Sequence, residues 1–197
     1  APSIGDIDND GSFEIAIAGK VRDPNQNRAV IGSGVWVLQS KGQREPGWYN
    51  AKLGGTPILN VSDFPPTQAP ALADLNGDGD LEIIVGLLDG TMRAYHPDGN
   101  LMWKYDFAQG QTLSASEPVI GDVTGDGSLD VIFGTYSPDS SDNNLARLIG
   151  LNASGQPLVG FPLTLNSEGT SAKQGLRAAP TLADLDGLIA LLQKKDL

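Results

Sequence analysis

The chain has 197 residues, 40% of them hydrophobic, with 24 acidic and 13 basic residues and a net charge of −11. The hydrophobic content argues against a disordered chain, and the acidic balance argues against binding to nucleic acid or to anionic membranes, which favour basic patches. Because the chain has no Cys, a disulfide framework and thiolate chemistry are excluded. It also lacks a run of 18 apolar residues, so we expect no membrane insertion.

One sequence pattern occurs four times along the chain. It consists of a short apolar run, an Asp-rich loop and a second apolar run rich in β-branched residues, which is typical of two strands joined by a turn. The copies begin at Ala1, Ala69, Glu117 and Ala179, and their leading Asp residues lie 68, 48 and 62 positions apart. This spacing indicates one supersecondary unit used repeatedly, as in propeller blades or solenoid coils.

The second copy predicts its strands most clearly. Two apolar runs, 70–75 and 81–88, flank its Asp-rich loop, and the hairpin signal Asp89-Gly90 leads to a third strand over 91–95. A turn at Pro97-Asp98-Gly99-Asn100 then leads to a fourth strand over 101–107. Four antiparallel strands in a unit of about 48 residues are the make-up of a propeller blade.

We therefore predict an all-β fold of four-stranded antiparallel propeller blades. Three complete blades extend over residues 1–68, 69–115 and 116–177, and a partial fourth blade extends over 178–197. Since a closed propeller needs at least four complete blades, we expect either a fragment of a larger propeller or self-association through open blade edges.

The first and third copies follow the same plan, with polar excursions at 23–27 and 137–144 on equivalent hairpins. The third copy predicts a strand over 145–151 and a last strand that contains Gly160-Phe161-Pro162, where the first copy has Gly47-Trp48-Tyr49. The tail over 188–195 is compatible with a short helix or with a strand that pairs back on 181–185.

The acidic residues cluster in the repeat loops, which hold 13 of the 24. Such a cluster repels itself unless a counter-charge is present, so the distribution of charge indicates a metal. In the first loop, side-chain oxygens at positions 1, 3, 5 and 9 and a backbone carbonyl at position 7 can converge on one point, and Gly11 permits the sharp turn. Six or seven oxygen ligands on a flexible loop suit calcium better than magnesium.

The sequence thus predicts about three calcium ions, each with five ligand residues. The first site consists of Asp6, Asp8, Asp10, the Ser12 carbonyl and Glu14; the second of Asp74, Asn76, Asp78, the Asp80 carbonyl and Glu82; the third of Asp122, Thr124, Asp126, the Ser128 carbonyl and Asp130. The first site should bind most tightly because it has four carboxylates, and the third should be the weakest.

The three loops are not EF-hands, and the fourth copy of the loop lacks ligands. An EF-hand needs an acid at position 12, but the three loops have Ile17, Val85 and Phe133 there. The fourth loop keeps Asp184 and Asp186 but has apolar Leu at positions 5 and 9, so we predict no calcium in it.

These motifs resemble the FG-GAP or VCBS repeats, the calcium-loop β-propeller repeats of integrin α subunits and of many secreted bacterial proteins. The resemblance rests on Ala-Pro-x-Leu-Ala-Asp-Leu-Asn-Gly-Asp-Gly-Asp-Leu-Glu-Ile-Ile-Val-Gly, on Phe133-Gly134 and on the run from Asp89 to Tyr95 followed by Pro-Asp-Gly. It implies a β-propeller with calcium in the loop between the first two strands of each blade, usually secreted or at the cell surface, in adhesion or ligand binding. Thr124 departs from the Asp or Asn usual at its position.

The residues favour a non-catalytic module. The only histidine, His96, lies in a predicted turn and is interpreted as a surface residue, and there is no Cys or second His for a catalytic triad or a zinc site. Four aromatic residues could either pack between blades or stack on sugar rings: Trp36, Trp48, Trp103 and Phe161. We expect extracellular adhesion or binding of a protein or carbohydrate ligand; the alternative is the propeller portion of a secreted polysaccharide lyase or hydrolase.

Overall fold

The computed structural model describes residues 1–54, 68–137, 147–164 and 176–183, which form 13 strands and no helix. Sheet 1 contains β1 (Ser3–Gly5), β2 (Glu14–Arg22), β3 (Val30–Gln39) and β4 (Lys52–Gly54). Sheet 2 contains β5 (Ala71–Ala73), β6 (Glu82–Gly86), β7 (Thr91–Tyr95) and β8 (Leu101–Asp106). Sheet 3 contains β10 (Val119–Gly121), β11 (Asp130–Tyr136), β12 (Arg147–Leu151) and β13 (Leu163–Thr164), and β9 (Ser114–Ala115) pairs with the end of β11.

Four strands of each sheet form an antiparallel meander, because strands that follow one another in the chain also pair in space; β9 is the exception, because it pairs with β11 and not with β10. The all-β prediction is confirmed for the described residues. The number of propeller blades and the blade boundaries stay predictions, and the strand expected to begin at 145 begins at Arg147, after undescribed residues. The fourth loop and the tail, 184–197, also lie outside the described residues.

One strand prediction was wrong. The last strand of sheet 3 does not contain Gly160-Phe161-Pro162 and begins only at Leu163. Gly160 has a φ of 89°, which is far from the extended conformation, and Pro162 has no N–H to donate to a neighbouring strand.

The three sheets pack face to face, with sheet 2 in the middle. Ile83 and Val85 of β6 lie in a buried cluster with Val35 and Val37 of sheet 1. The residue between them, Ile84, lies in a second buried cluster that includes sheet 3 residues. Because successive side chains of a strand point to opposite faces, β6 contributes to both cores at once.

A tryptophan hydrogen bond connects each pair of neighbouring sheets. Trp48, which lies between β3 and β4 of sheet 1, donates its Nε1–H to the Pro97 carbonyl at 2.6 Å. Trp103, in β8 of sheet 2, donates its Nε1–H to the Ala153 carbonyl at 2.9 Å. Both acceptors lie in the turn between the third and fourth strands of the next sheet. These two tryptophans therefore pack between sheets, and their indole N–H groups are satisfied there.

Glycine is required where one of these contacts is closest. Gly47, next to Trp48, has a φ of 84°, and a Cβ at this position would lie 1.9 Å from the Asp98 carbonyl oxygen of sheet 2. Gly110 has a similar φ of 79°, but a Cβ there would meet nothing within 4 Å. The two positions share the same backbone requirement and differ only in the space available.

We predict that Gly47→Ala destabilises the protein much more than Gly110→Ala. The Gly110 variant should lose about 1–2 kcal/mol of unfolding free energy because its left-handed backbone disfavours a Cβ. Gly47→Ala should lose about 1–3 kcal/mol more because of overpacking against sheet 2. Urea unfolding of both variants measures the difference, and equal losses would contradict the close contact between sheets 1 and 2.

Candidate metal centres

The three Asp loops occupy equivalent places in the three sheets. Each loop joins the first strand to the second, and the acid at position 9 is the first residue of the second strand. These acids are Glu14, Glu82 and Asp130, which pair across the hairpin with Gly5, Ala73 and Gly121. The strand pairing therefore places position 9 beside the residue that precedes position 1 of the loop.

The acid at position 9 is buried in every loop, with a relative exposure of 2% for Glu14, 0% for Glu82 and 1% for Asp130. Each carboxylate accepts a hydrogen bond from the backbone N–H of position 2, at 3.0 Å from Ile7, 2.9 Å from Leu75 and 3.0 Å from Val123. The bond satisfies one buried oxygen and closes the loop onto the second strand.

The acid at position 1 accepts backbone N–H groups from the far side of its own loop. Asp74 and Asp122 each use Oδ1 for two N–H groups, at positions 4 and 5, and Oδ2 for the Gly at position 6. These bonds, with the one from Gly127 the largest cause, lower the pKa of Asp122 below its usual value. These hydrogen bonds favour the charged form of the Asp122 carboxylate at the centre of loop 3.

The acid at position 5 accepts a hydrogen bond from the backbone two residues further along the loop. Asp10, Asp78 and Asp126 each accept the backbone N–H of position 7, at 2.7 to 3.0 Å. This bond orients the peptide of Ser12, Asp80 and Ser128, the residues whose carbonyls are the predicted ligands.

The loops need a left-handed backbone at two positions. Position 6 is Gly in all three loops, as the sequence analysis expects, with φ values of 86° to 97°. Position 4 also has a positive φ, at Asn9, Gly77 and Gly125. The second requirement was missed, although Asn and Gly are the residues that adopt this conformation most readily.

In loop 1, three carboxylates converge. Oxygens of Asp6, Asp8 and Glu14 lie within 4.8 Å of one another, and across the described residues this is the only such group of three. Asp6 Oδ1 is buried and accepts no hydrogen bond, whereas the same atom of Asp74 and of Asp122 accepts two. Asp10 does not belong to this group.

The electrostatics of loop 1 favour a cation. Burial is the main cause that raises the pKa of Glu14, and the charges of Asp8, Asp10 and Asp6 raise it further, against the opposing effect of the Ile7 N–H. A cation at the Asp6–Asp8–Glu14 group would remove this repulsion and would give Asp6 Oδ1 a partner.

Loop 2 has a different arrangement around its buried acid. Asn76 Nδ2 donates to Asp78 Oδ2 at 2.9 Å and to Glu82 Oε1 at 3.2 Å, so the amide links two predicted ligand carboxylates. Burial is the main cause that raises the pKa of Glu82, and the Leu75 N–H and His96 oppose the increase. If Asn76 is a ligand, its amide must turn so that Oδ1 faces the acids.

His96 has a partner that the sequence did not predict. Its Nδ1 lies 3.1 Å from Glu82 Oε1, and its side chain is 37% exposed while that of Glu82 is fully buried. The signal was the pairing register, because β6 and β7 pair Ile83 with Tyr95 and so place the preceding Glu82 opposite the following His96. His96 is thus a neighbour of the second site rather than an isolated surface residue.

In loop 3, the backbone N–H of Thr124 donates to Asp130 Oδ2 at 3.2 Å, and the Thr124 hydroxyl lies 3.5 Å from Asp122 Oδ1. Thr124 therefore lies between two predicted ligands, with a neutral oxygen where loop 1 has the carboxylate of Asp8. The loop has one negative charge fewer than loop 1.

Loops 1 and 2 are neighbours across the interface between sheets 1 and 2. The Leu81 N–H, at the end of loop 2, donates to the Ile7 carbonyl of loop 1 at 2.8 Å. Beside them lies a cleft of about 440 Å³. Its lining is acidic and consists of Asp8, Glu45, Pro46, Asp78, Asp80, His96, Pro97 and Asp98.

Part of the chain that includes loops 2 and 3 matches a known repeat family. Residues 74–133 match the sequence model of the FG-GAP-like repeat, so this part of the chain is an FG-GAP-like repeat, as its motifs indicate. The match begins at position 1 of loop 2 and ends within β11, and it includes loop 3.

The search of solved structures found similar chains. The search of curated proteins found no match. Among solved structures, the chain is similar to the V. cholerae biofilm matrix protein Bap1, with a TM-score of 0.33 and 17% identity over 80% of this chain. The similar region spans 27% of the length of that protein. No helix of the described residues is long and apolar enough to cross a membrane.

We predict that His96 supports the buried Glu82. His96→Ala should lower the unfolding free energy by about 1 kcal/mol in the presence of a chelator, because Glu82 loses a hydrogen-bond partner. His96→Gln should retain most of the stability, since its amide can donate to the same oxygen. Chemical unfolding of both variants provides the measurement; a loss of the same size in both would show that packing, and not the hydrogen bond, is responsible.

Proposed function

We propose that the three Asp loops bind calcium and that the chain is a non-catalytic, propeller-type repeat module of an extracellular adhesion or ligand-binding protein. The observation that carries the proposal is the convergence of carboxylate oxygens of Asp6, Asp8 and Glu14, together with the buried Asp6 Oδ1, which accepts no hydrogen bond. A buried acceptor without a partner costs free energy, and a hard cation would satisfy it.

The predicted ligands are all oxygen atoms. In each loop the residues at positions 1, 3, 5 and 9 would contribute side-chain oxygens and position 7 a carbonyl, and calcium accepts six to eight such ligands in flexible geometry. The ion would link the start of the loop to the buried acid of the second strand. Its role would be to stabilise the hairpin, in addition to the backbone hydrogen bonds already present.

The same geometry supports a role other than catalysis. The buried acids Glu14, Glu82 and Asp130 each accept a loop N–H, and His96 contacts one of them. The hydrogen bonds of these groups hold the loops in place. The acidic cleft between loops 1 and 2 is the surface we propose for contact with a protein or carbohydrate ligand.

Calcium should stabilise the folded chain. At a free concentration about 100 times the dissociation constant, each site bound only in the folded state should add about 2.7 kcal/mol. We therefore expect the melting temperature to rise with calcium and to fall with excess chelator, with a smaller effect of magnesium. A melting curve that is the same in calcium and in chelator would contradict the proposal.

A pair of variants in loop 2 separates ligation from charge. Asp78→Ala removes a predicted side-chain ligand, while Asp80→Ala removes the same charge from a residue predicted to contribute only its carbonyl. The rise in melting temperature caused by calcium should decrease in the first variant and persist in the second. An equal decrease in both would indicate general attraction of cations to an acidic surface.

The three sites should differ in affinity. Loop 1 has four carboxylates among its predicted side-chain ligands against three in each of the other loops, and three of the four converge, so it should bind most tightly; loop 3, with Thr124, should bind most weakly. Calorimetry on Asp6→Ala, Asp74→Ala and Asp122→Ala, which remove position 1 from one loop at a time, identifies each site. Loss of the weakest binding event in the Asp6 variant would overturn this order.

A further inference from the structure

Loop 2 contains the only Asn of the chain that is followed by Gly, at Asn76-Gly77. Glycine has no side chain, so its backbone nitrogen can approach the side-chain amide carbon of the preceding Asn, which is the first step of Asn deamidation. Asn76 and Gly77 are both exposed, and a Cβ on Gly77 would meet no described atom within 4 Å. Solvent therefore has access to both residues.

The attacking atom in such a reaction is Gly77 N, and loop 2 supplies an acceptor for its proton. The Gly77 N–H donates to Asp74 Oδ1 at 2.7 Å. A peptide nitrogen is a weak nucleophile until its proton is removed, and a carboxylate within hydrogen-bond distance is placed to act as a general base.

The atom attacked is Asn76 Cγ, and the oxygen bonded to it has a hydrogen-bond donor. The Asp78 N–H donates to Asn76 Oδ1 at 2.9 Å. Negative charge develops on Oδ1 when a nucleophile adds to Cγ, and a backbone N–H directed at that oxygen stabilises the charge. Loop 2 therefore holds a base and an oxyanion donor beside the same peptide bond.

We propose that Asn76 is a modification site, at which the chain converts the Asn to an acidic residue without an enzyme. Gly77 N forms a bond to Asn76 Cγ, and the proton of Gly77 N passes through Asp74 or water to Nδ2. The Cγ–Nδ2 bond breaks, ammonia leaves, and a cyclic succinimide remains. Water then opens the ring at Cγ to give aspartate, or at the backbone carbonyl of residue 76 to give isoaspartate.

The group lost in this reaction is the donor that links two acids of loop 2. Asn76 Nδ2 donates to Asp78 Oδ2 at 2.9 Å and to Glu82 Oε1 at 3.2 Å. An aspartate at position 76 replaces this donor with a carboxylate oxygen, so that three negative groups then lie together. Such a group is unfavourable without a counter-charge and favourable with one.

The expected consequence rests on the proposed calcium sites. With an aspartate at position 76, loop 2 has four carboxylates at positions 1, 3, 5 and 9, as loop 1 has with Asp8 at position 3. We expect this form of loop 2 to bind calcium about tenfold more tightly, because the number of charged ligands sets affinity. Isoaspartate lengthens the backbone and should disrupt the loop. A newly made chain and an aged chain therefore differ in their dependence on calcium.

The test follows deamidation of the full chain in a chelator at mildly alkaline pH, by mass spectrometry of its peptides over time. Asn100 is the internal reference, because it is exposed and its Nδ2 donates to Asp98 Oδ2 at 2.7 Å, but Leu101 follows it. We expect position 76 to react about tenfold faster or more than position 100, because glycine leaves its nitrogen free to approach Cγ. Equal rates would overturn the proposal, and this comparison needs no variant.

Two variants test the roles of the neighbouring residues. Gly77→Asn suits the backbone, because loop 1 has Asn9 at this position with a φ of 54°, but it adds a side chain to the attacking residue. Position 76 should then react no faster than position 100. Asp74→Asn removes the base and should slow the reaction at position 76; an unchanged rate would contradict the role of Asp74.

Two calcium measurements separate this inference from the proposed function. Excess calcium should slow deamidation, because it holds Asn76 Oδ1 as a ligand, and Asn76→Asp, unlike Asn100→Asp, should increase the calcium-induced rise in melting temperature. If position 76 reacts faster than position 100 but calcium has no effect on rate or melting, the modification site stands and the calcium sites fail. If calcium stabilises the chain but the two positions react equally, the calcium sites stand and the modification site fails.

Discussion

A buried carboxylate at the start of each second strand is the constraint on which the rest of the structure depends. Moving an ionised group out of water costs several kcal/mol unless hydrogen bonds or counter-charges compensate. Here the backbone N–H of position 2 compensates in all three loops, and it can do so only if the loop turns back on itself. The positive φ values at positions 4 and 6 make that turn. The buried acid thus requires residues at positions 4 and 6 that adopt a positive φ, and the resulting turn brings the other carboxylates of the loop towards the buried acid.

The closed loop also determines how the sheets pack. Leu72 and Leu81 lie on either side of loop 2, and both pack over Gly5 of sheet 1. The N–H of Leu81 in addition bonds to the Ile7 carbonyl, inside loop 1. A change in the shape of loop 2 would therefore displace two apolar contacts and one hydrogen bond between sheets. Stabilising the loops and stabilising the stack of sheets are coupled through these residues.

Sequence reasoning found the features that repeat and missed those that depend on a neighbour. The apolar, β-branched run that contains β6 and the Asp89-Gly90 turn predicted strands that the structure contains, because both follow from local preference. The hydrogen bond from Trp48 to Pro97 joins residues 49 positions apart and could not be derived from local pattern. The contact between His96 and Glu82 required the strand register, which sequence alone leaves free by one residue.

The tryptophan bonds give the stack of sheets a direction. Sheet 1 donates to sheet 2 and sheet 2 donates to sheet 3, so sheet 2 donates from Trp103 in its fourth strand and accepts at Pro97, in the turn before that strand. Such an interface is heterologous, since the two surfaces that meet are different, and it can be extended by adding sheets of the same kind. The replacement of Trp by Phe161 ends the series of donors at sheet 3, while apolar packing continues beyond it through Leu182 on Gly121. The order of the sheets follows the chain, and the tryptophan bonds add a polar contact that the apolar cores alone do not provide.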